Sequence, residues 1–171
     1  VNERVVPGVI VLLLLAGLLT LMYRGWRARQ RRQSGISRPP TPPATLGPDL
    51  ASLDVLYVAT TVAAEPLDRI AVHGLGYRGR ALVRVTPEGV VLAITGEDEV
   101  FIGADAIDGH GLATYTIDRV VESGGLVVIT WRLGGPDGIL VDSYLRVTDA
   151  DARPGLLAAL ERISRTERTS E

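Results

Sequence analysis

The chain has no cysteine and no lysine, and only two histidines, one phenylalanine and one methionine among its 171 residues. The missing cysteines exclude disulfides, thiolate nucleophiles and cysteine metal sites. All eighteen basic residues are arginine. Alongside many glycines and alanines this reflects a GC-rich coding bias, so the arginines are not read as phosphate chemistry. No Gly-Lys-Ser/Thr follows the glycines around His73, so they do not form a phosphate-binding loop. Ser143 lies in an apolar stretch with no nucleophile elbow, which excludes a hydrolase triad built on it.

What the chain does contain is an apolar run. Val5 to Tyr23 is nineteen residues whose only polar groups are Thr20 and the Tyr23 hydroxyl. As a helix it spans roughly 28 Å, about the thickness of a bilayer hydrocarbon core. Pro7 and Gly8 fall in the first turn, where a missing N–H costs little. Tyr23 and Trp26 mark the far end as interfacial aromatics do. The flank before the run is not basic and no small-residue cleavage site follows it, so the reading is a retained anchor rather than a signal peptide.

Six arginines lie between Arg24 and Arg38, against Arg4 alone on the other side. The positive-inside bias then places the amino terminus outside and the remainder of the chain in the cytoplasm. Residues 1–38 carry a net charge of +6 and residues 39–171 a net −8. The collar Arg24, Arg27, Arg29, Arg31 and Arg32 would sit against anionic headgroups of the inner leaflet, whereas an acidic domain is repelled by lipid and by nucleic acid. Nucleic-acid binding by the domain is therefore not expected.

The expected organisation is a short external terminus (1–4), a membrane helix (5–23), a basic juxtamembrane segment (24–32), a proline-rich linker (33–48), a folded domain (49–165) and a polar tail (166–171). Pro39, Pro40, Pro42, Pro43 and Pro48 favour an extended, semi-rigid spacer. Beyond it, short β-rich runs alternate with turns. Strands are predicted over Val55–Val62, Ala81–Val85, Val90–Thr95, Val100–Ile102, Thr114–Val121, Leu126–Arg132 and Ile139–Val147. Thr86-Pro87-Glu88-Gly89 and Ser123-Gly124-Gly125 are the hairpin turns. About seven antiparallel strands in a small barrel follow. Leu156, Leu157, Leu160 and Ile163 then recur at helical spacing, with Asp149 or Asp151 as candidate cap, giving a carboxyl-terminal helix that closes the barrel.

Four blocks carry a resemblance: Tyr57-Val58-Ala59-Thr60-Thr61, Asp68 to Gly76, Gly124 to Trp131, and Asp142-Ser143-Tyr144-Leu145-Arg146. In this order, behind an anchor and a linker, the chain resembles actinobacterial single-pass membrane proteins with a bacterial PH-like domain. The resemblance implies a fold and a location; members sometimes labelled transporters or export proteins supply no ligand. A single span without an intramembrane charge forms no transport path by itself.

The candidate contact residues are the collar arginines together with Arg78 and Arg80, which lie about where PH domains that bind phosphoinositides place basic residues. Asp105, Asp108 and His110 form a polar turn rather than a metal set. Asp142 and Arg146, four apart in a strand, face one side and read as a structural pair, with Arg69 or Asp68 as candidate partners. Trp131 reads as a core or rim aromatic. No cofactor and no catalytic residue are expected. The leading expectation is a membrane-tethered cytoplasmic module that binds a protein partner, for instance by strand addition. The alternatives are an anionic lipid-headgroup module and an accessory subunit of a membrane transporter.

Overall fold

The computed structural model describes residues 2–33, 35–113, 115–116, 119–120 and 125–169. The chain divides into two compact units, Val1–Gly35 and Ile36–Glu171. The first is the helix α1, Asn2–Arg32. Its stretch Val6–Ala28 has a mean hydropathy of 2.4 and is long and apolar enough to cross a membrane. The side chains of this stretch are exposed, so no protein core accounts for its apolarity. Thr20 returns its hydroxyl to the Ala16 carbonyl at 2.7 Å, so the one alcohol in the run is satisfied within the helix. The Tyr23 and Trp26 rings sit 6.2 Å apart at its end.

The second unit is built on one antiparallel sheet. Its strands are β1 (Ala51–Val62), β2 (Glu65–Arg69), β3 (Gly79–Thr86), β4 (Gly89–Ile94), β5 (Val100–Gly103), β6 (Ile107–Ala113), β9 (Leu126–Leu133) and β10 (Ile139–Val147). Between β6 and β9, β7 (Tyr115–Thr116) and β8 (Arg119–Val120) pair only with each other. The main sheet runs β5-β4-β3-β1-β10-β9-β6, with β2 added to β1. At twelve residues β1 is long enough to serve two partners. It pairs with β3 over Ala51–Tyr57 and with β10 over Val55–Val62. A bulge at Val58 lets it bend between them.

Inward-facing residues alternate along the strands, as a half-buried pleated sheet requires. Val55, Tyr57, Val83, Val85, Leu92, Ile129, Trp131 and Leu145 are all buried in one core. The helix α2, Arg153–Thr169, completes it with Leu156, Ala159, Leu160 and Ile163. Burying each of its large aliphatic side chains contributes about 1.5–3 kcal/mol, which fixes the helix against β1, β3 and β6.

Three expectations are corrected. The barrel does not close: β5 and β6 are the two ends of the sheet. β5 has only four residues, and a 3₁₀ turn at Ala104–Ala106 carries the chain away before β6 begins, so no ladder joins them. Second, the partner of β9 is β6 rather than Thr114–Val121. β6 reads Ile-Asp-Gly-His-Gly-Leu-Ala, a turn-like composition that becomes a strand because β9 offers it a ladder. Thr114, Ile117, Asp118 and Val121 lie outside the described residues, as does most of the Ser123-Gly124-Gly125 turn. Third, neither aspartate caps α2. Asp149 accepts the Asp151 N–H at 3.0 Å in the turn before the helix, and the Ala152 carbonyl takes the first helical bond, from Leu156.

Candidate functional site

The β5 end of the sheet is where backbone, charge and an open cleft meet. Residues 36–50, which follow α1, lie along the domain. The Phe101 N–H, on the outer edge of β5, donates to the Pro40 carbonyl at 3.0 Å. His73 Nε2 lies 2.8 Å from the Ile36 carbonyl. A carbonyl only accepts, so Nε2 carries the proton. Pro39 is buried. Farther along, the Gly47 N–H donates to Glu88 Oε2 at 2.9 Å and holds that carboxyl below the usual range, and the Leu50 N–H donates to the Val85 carbonyl at 2.7 Å.

Between this segment and the β4–β5 turn lies a cleft of about 250 Å³. Arg38, Pro39 and Thr41 form one wall; His73, Gly74, Glu97, Asp98 and Glu99 form the other. Three carboxylates thus face one guanidinium. Arg38 meets Asp98 only at 3.8 Å, with both side chains largely exposed, a pair worth little in stability.

His73 owes its position to the loop between β2 and β3. It has a φ of +57° and is followed by Gly74 at +77°, a double left-handed step that few non-glycine residues adopt. The loop is anchored from within. Trp131 Nε1 donates to Ser143 Oγ at 2.9 Å, Ser143 Oγ and Thr60 Oγ1 are 2.7 Å apart, and Thr60 Oγ1 and Tyr57 Oη are 2.8 Å apart. Tyr57 Oη lies 2.9 Å from the Leu75 carbonyl. That carbonyl claims the single phenol proton, so Thr60 donates to Tyr57 and Ser143 to Thr60. One directed chain of four hydrogen bonds therefore runs from β9 to the loop. All four side chains are buried, and burial pushes the Tyr57 phenol up, keeping it neutral.

The strand order 5-4-3-1-10-9-6, the single carboxyl-terminal helix over the open corner and the filled interior define the fold. A model of the family described as "Bacterial PH domain-like" matches residues 36–161. The chain belongs to this family. No curated protein matches it. Among solved structures, a chain of "The 8S snRNP Assembly Intermediate" is similar at 14% identity with a TM-score of 0.47, covering 76% of this chain and 90% of that one. A likeness this distant carries no functional argument.

The expected contact residues fall in both units. Arg24 and Arg27 lie exposed on α1, and Arg29, Arg31 and Arg32 belong to the last turns of the same helix. Arg78 ends the β2–β3 loop and Arg80 lies in β3, both exposed beside the exposed Tyr77. The residues of the expected polar turn take separate places: His110 sits 3.3 Å from Glu161 of α2, Asp108 lies 3.8 Å from Arg132, and Asp105 belongs to the 3₁₀ turn after β5. Among the described residues no three histidine, aspartate or glutamate groups gather as a metal set. Ser143 is a buried link in the polar chain, and Trp131 is both core and donor. Asp142 accepts from Thr130 at 2.6 Å rather than pairing with Arg146. Sequence reasoning read residues 36–41 only as part of a linker, because two of their hydrogen bonds run through the carbonyls of Ile36 and Pro40, which leave no mark on side-chain pattern.

Proposed function

We propose that this chain is a membrane-tethered interaction module whose PH-like domain takes up a segment of a protein partner in the cytoplasm. The observation that carries this reading is the filled interior together with an open sheet: with Trp131, Tyr57, Leu92 and Leu160 packed inside, binding falls to the strand ends and the cleft beside β5. Family membership supports it, since PH-like domains are generally non-catalytic binding modules for protein or lipid. In this reading α1 crosses the membrane with its arginine collar at the inner leaflet. The net −8 of residues 39–171 disfavours a second, lipid-bound contact by the domain.

Arg78 and Arg80 are the observation behind the competing reading, since both are exposed at one end of β3. Residues 36–171, the compact unit, should stay in the supernatant when sedimented with phosphatidylglycerol or cardiolipin vesicles at physiological salt. Salt-sensitive co-sedimentation that disappears with Arg78→Ala/Arg80→Ala would replace the protein reading with the lipid one.

A further inference from the structure

The β5 edge is covered by the chain itself, and the cover is chemically incomplete. An edge strand presents alternating N–H and C=O groups to whatever lies beside it. Phe101 gives its N–H to Pro40, but an ordinary ladder would also return an N–H to the Phe101 carbonyl. In antiparallel pairing that donor belongs to Pro40 itself; in parallel pairing it belongs to the residue two farther on, Pro42. Proline has no N–H, so neither arrangement supplies it. Of residues 39–43 only Thr41 has an amide proton at all. The remaining attachments are the bond from His73 to the Ile36 carbonyl, the exposed 3.8 Å pair of Arg38 with Asp98, the half-buried Ile36 side chain at the margin of the core and the buried Pro39 ring. An open cleft separates part of the segment from the turn it faces.

We infer that residues 36–43 are a displaceable strap over β5, and that an extended, basic, proline-free segment of a partner protein docks on β5 by replacing them. Such a segment gives Phe101 an acceptor and also a donor, which the strap cannot. The basic character follows from charge: Glu97, Asp98 and Glu99 line the approach, and the strap answers them with Arg38 alone. Prolines in the strap guard the edge against indiscriminate pairing while leaving it cheaper to displace than a true strand. The inference rests on the protein-binding reading and gives that reading a site and a mode of control.

The test uses the full chain in lipid nanodiscs and a synthetic peptide of about eight residues alternating arginine and valine, the usual length of a strand. Three forms are compared: the natural chain, Ile36→Gly/Arg38→Gly, which removes side-chain attachments of the strap and keeps its prolines, and Pro40→Ala/Pro42→Ala, which restores the missing donors. Freeing the edge should tighten peptide binding about tenfold. Restoring the donors should weaken it by about the same factor and slow hydrogen exchange in β5. The same peptide N-methylated at alternate residues keeps its charge, loses its ladder donors and should not bind. Equal affinity across the three forms, or equal binding of the N-methylated peptide, overturns the strap mechanism. A peptide that binds none of the forms removes β5 as the site. Both results leave the vesicle result, and with it the protein-binding reading, standing.

Discussion

Trp131→Ala is expected to destabilise the PH-like domain by about 3–5 kcal/mol, a large part of the 5–15 kcal/mol typical of a domain. The indole is among the largest fully buried side chains, and its loss leaves a cavity beneath β9 and β10. It also removes the donor at the head of the polar chain, so Ser143 is left buried and short of a partner. Trp131→Phe separates the two causes: most of the volume stays and the N–H goes, for an expected cost of about 1–3 kcal/mol. Urea unfolding of residues 36–171, followed by far-UV circular dichroism, reads both, since the substitution removes the unit's own tryptophan signal. Because the chain ends on the Leu75 carbonyl, the effect reaches the loop that carries His73. A variant that still folds should therefore hold the strap more loosely. An unchanged urea midpoint for Trp131→Ala would show that the core does not depend on this ring.

Gly89→Ala is the second large effect, expected to cost about 2–4 kcal/mol. Gly89 opens β4 with a φ of +150° and pairs with Gly103 of β5. A Cβ there would run into the Ile102 carbonyl oxygen and meet the Gly103 Cα at 2.9 Å. Both obstacles are backbone, so the clash is relieved only by moving β5 away from β4. The same residue thus governs stability and the proposed docking edge. Where Gly89→Ala still folds at low temperature, β5 should exchange its amides faster and the arginine–valine peptide should lose its affinity. Natural protection of β5 in the variant would contradict that coupling.

The sequence was most legible where side-chain period and local turns agree with the fold. Val90 to Thr95, Ile139 to Val147 and the turn at Thr86–Gly89 carry β-branched residues and turn chemistry in the right order, and the structure has strands there. The helix over the core was equally plain from Leu156, Leu160 and Ile163. β6 was not legible, since Gly109, His110 and Gly111 have no strand propensity and acquire their conformation from β9. The open corner was hidden too, because strand count alone does not say whether the last ladder forms. At the candidate site, the proline-rich stretch reads as a spacer because it has no apolar period. Its hydrogen-bonded attachment uses the carbonyls of Ile36 and Pro40, groups every residue possesses, and its apolar anchor Ile36 stands alone with no period around it. Only the order of prolines, with Pro40 and Pro42 flanking Thr41, carries the signal in the sequence, and it acquires meaning once Phe101 is known to face it.

The most direct measurement of the central claim is photocrosslinking in native membranes, with a photoreactive residue in place of Glu99 beside β5 and, as control, in place of the exposed Asp137 in the β9–β10 turn. The account predicts a discrete protein adduct from the Glu99 position that is absent from the Asp137 position and diminished by Pro40→Ala/Pro42→Ala. Adducts to lipid alone, or the same adducts from both positions, would contradict it.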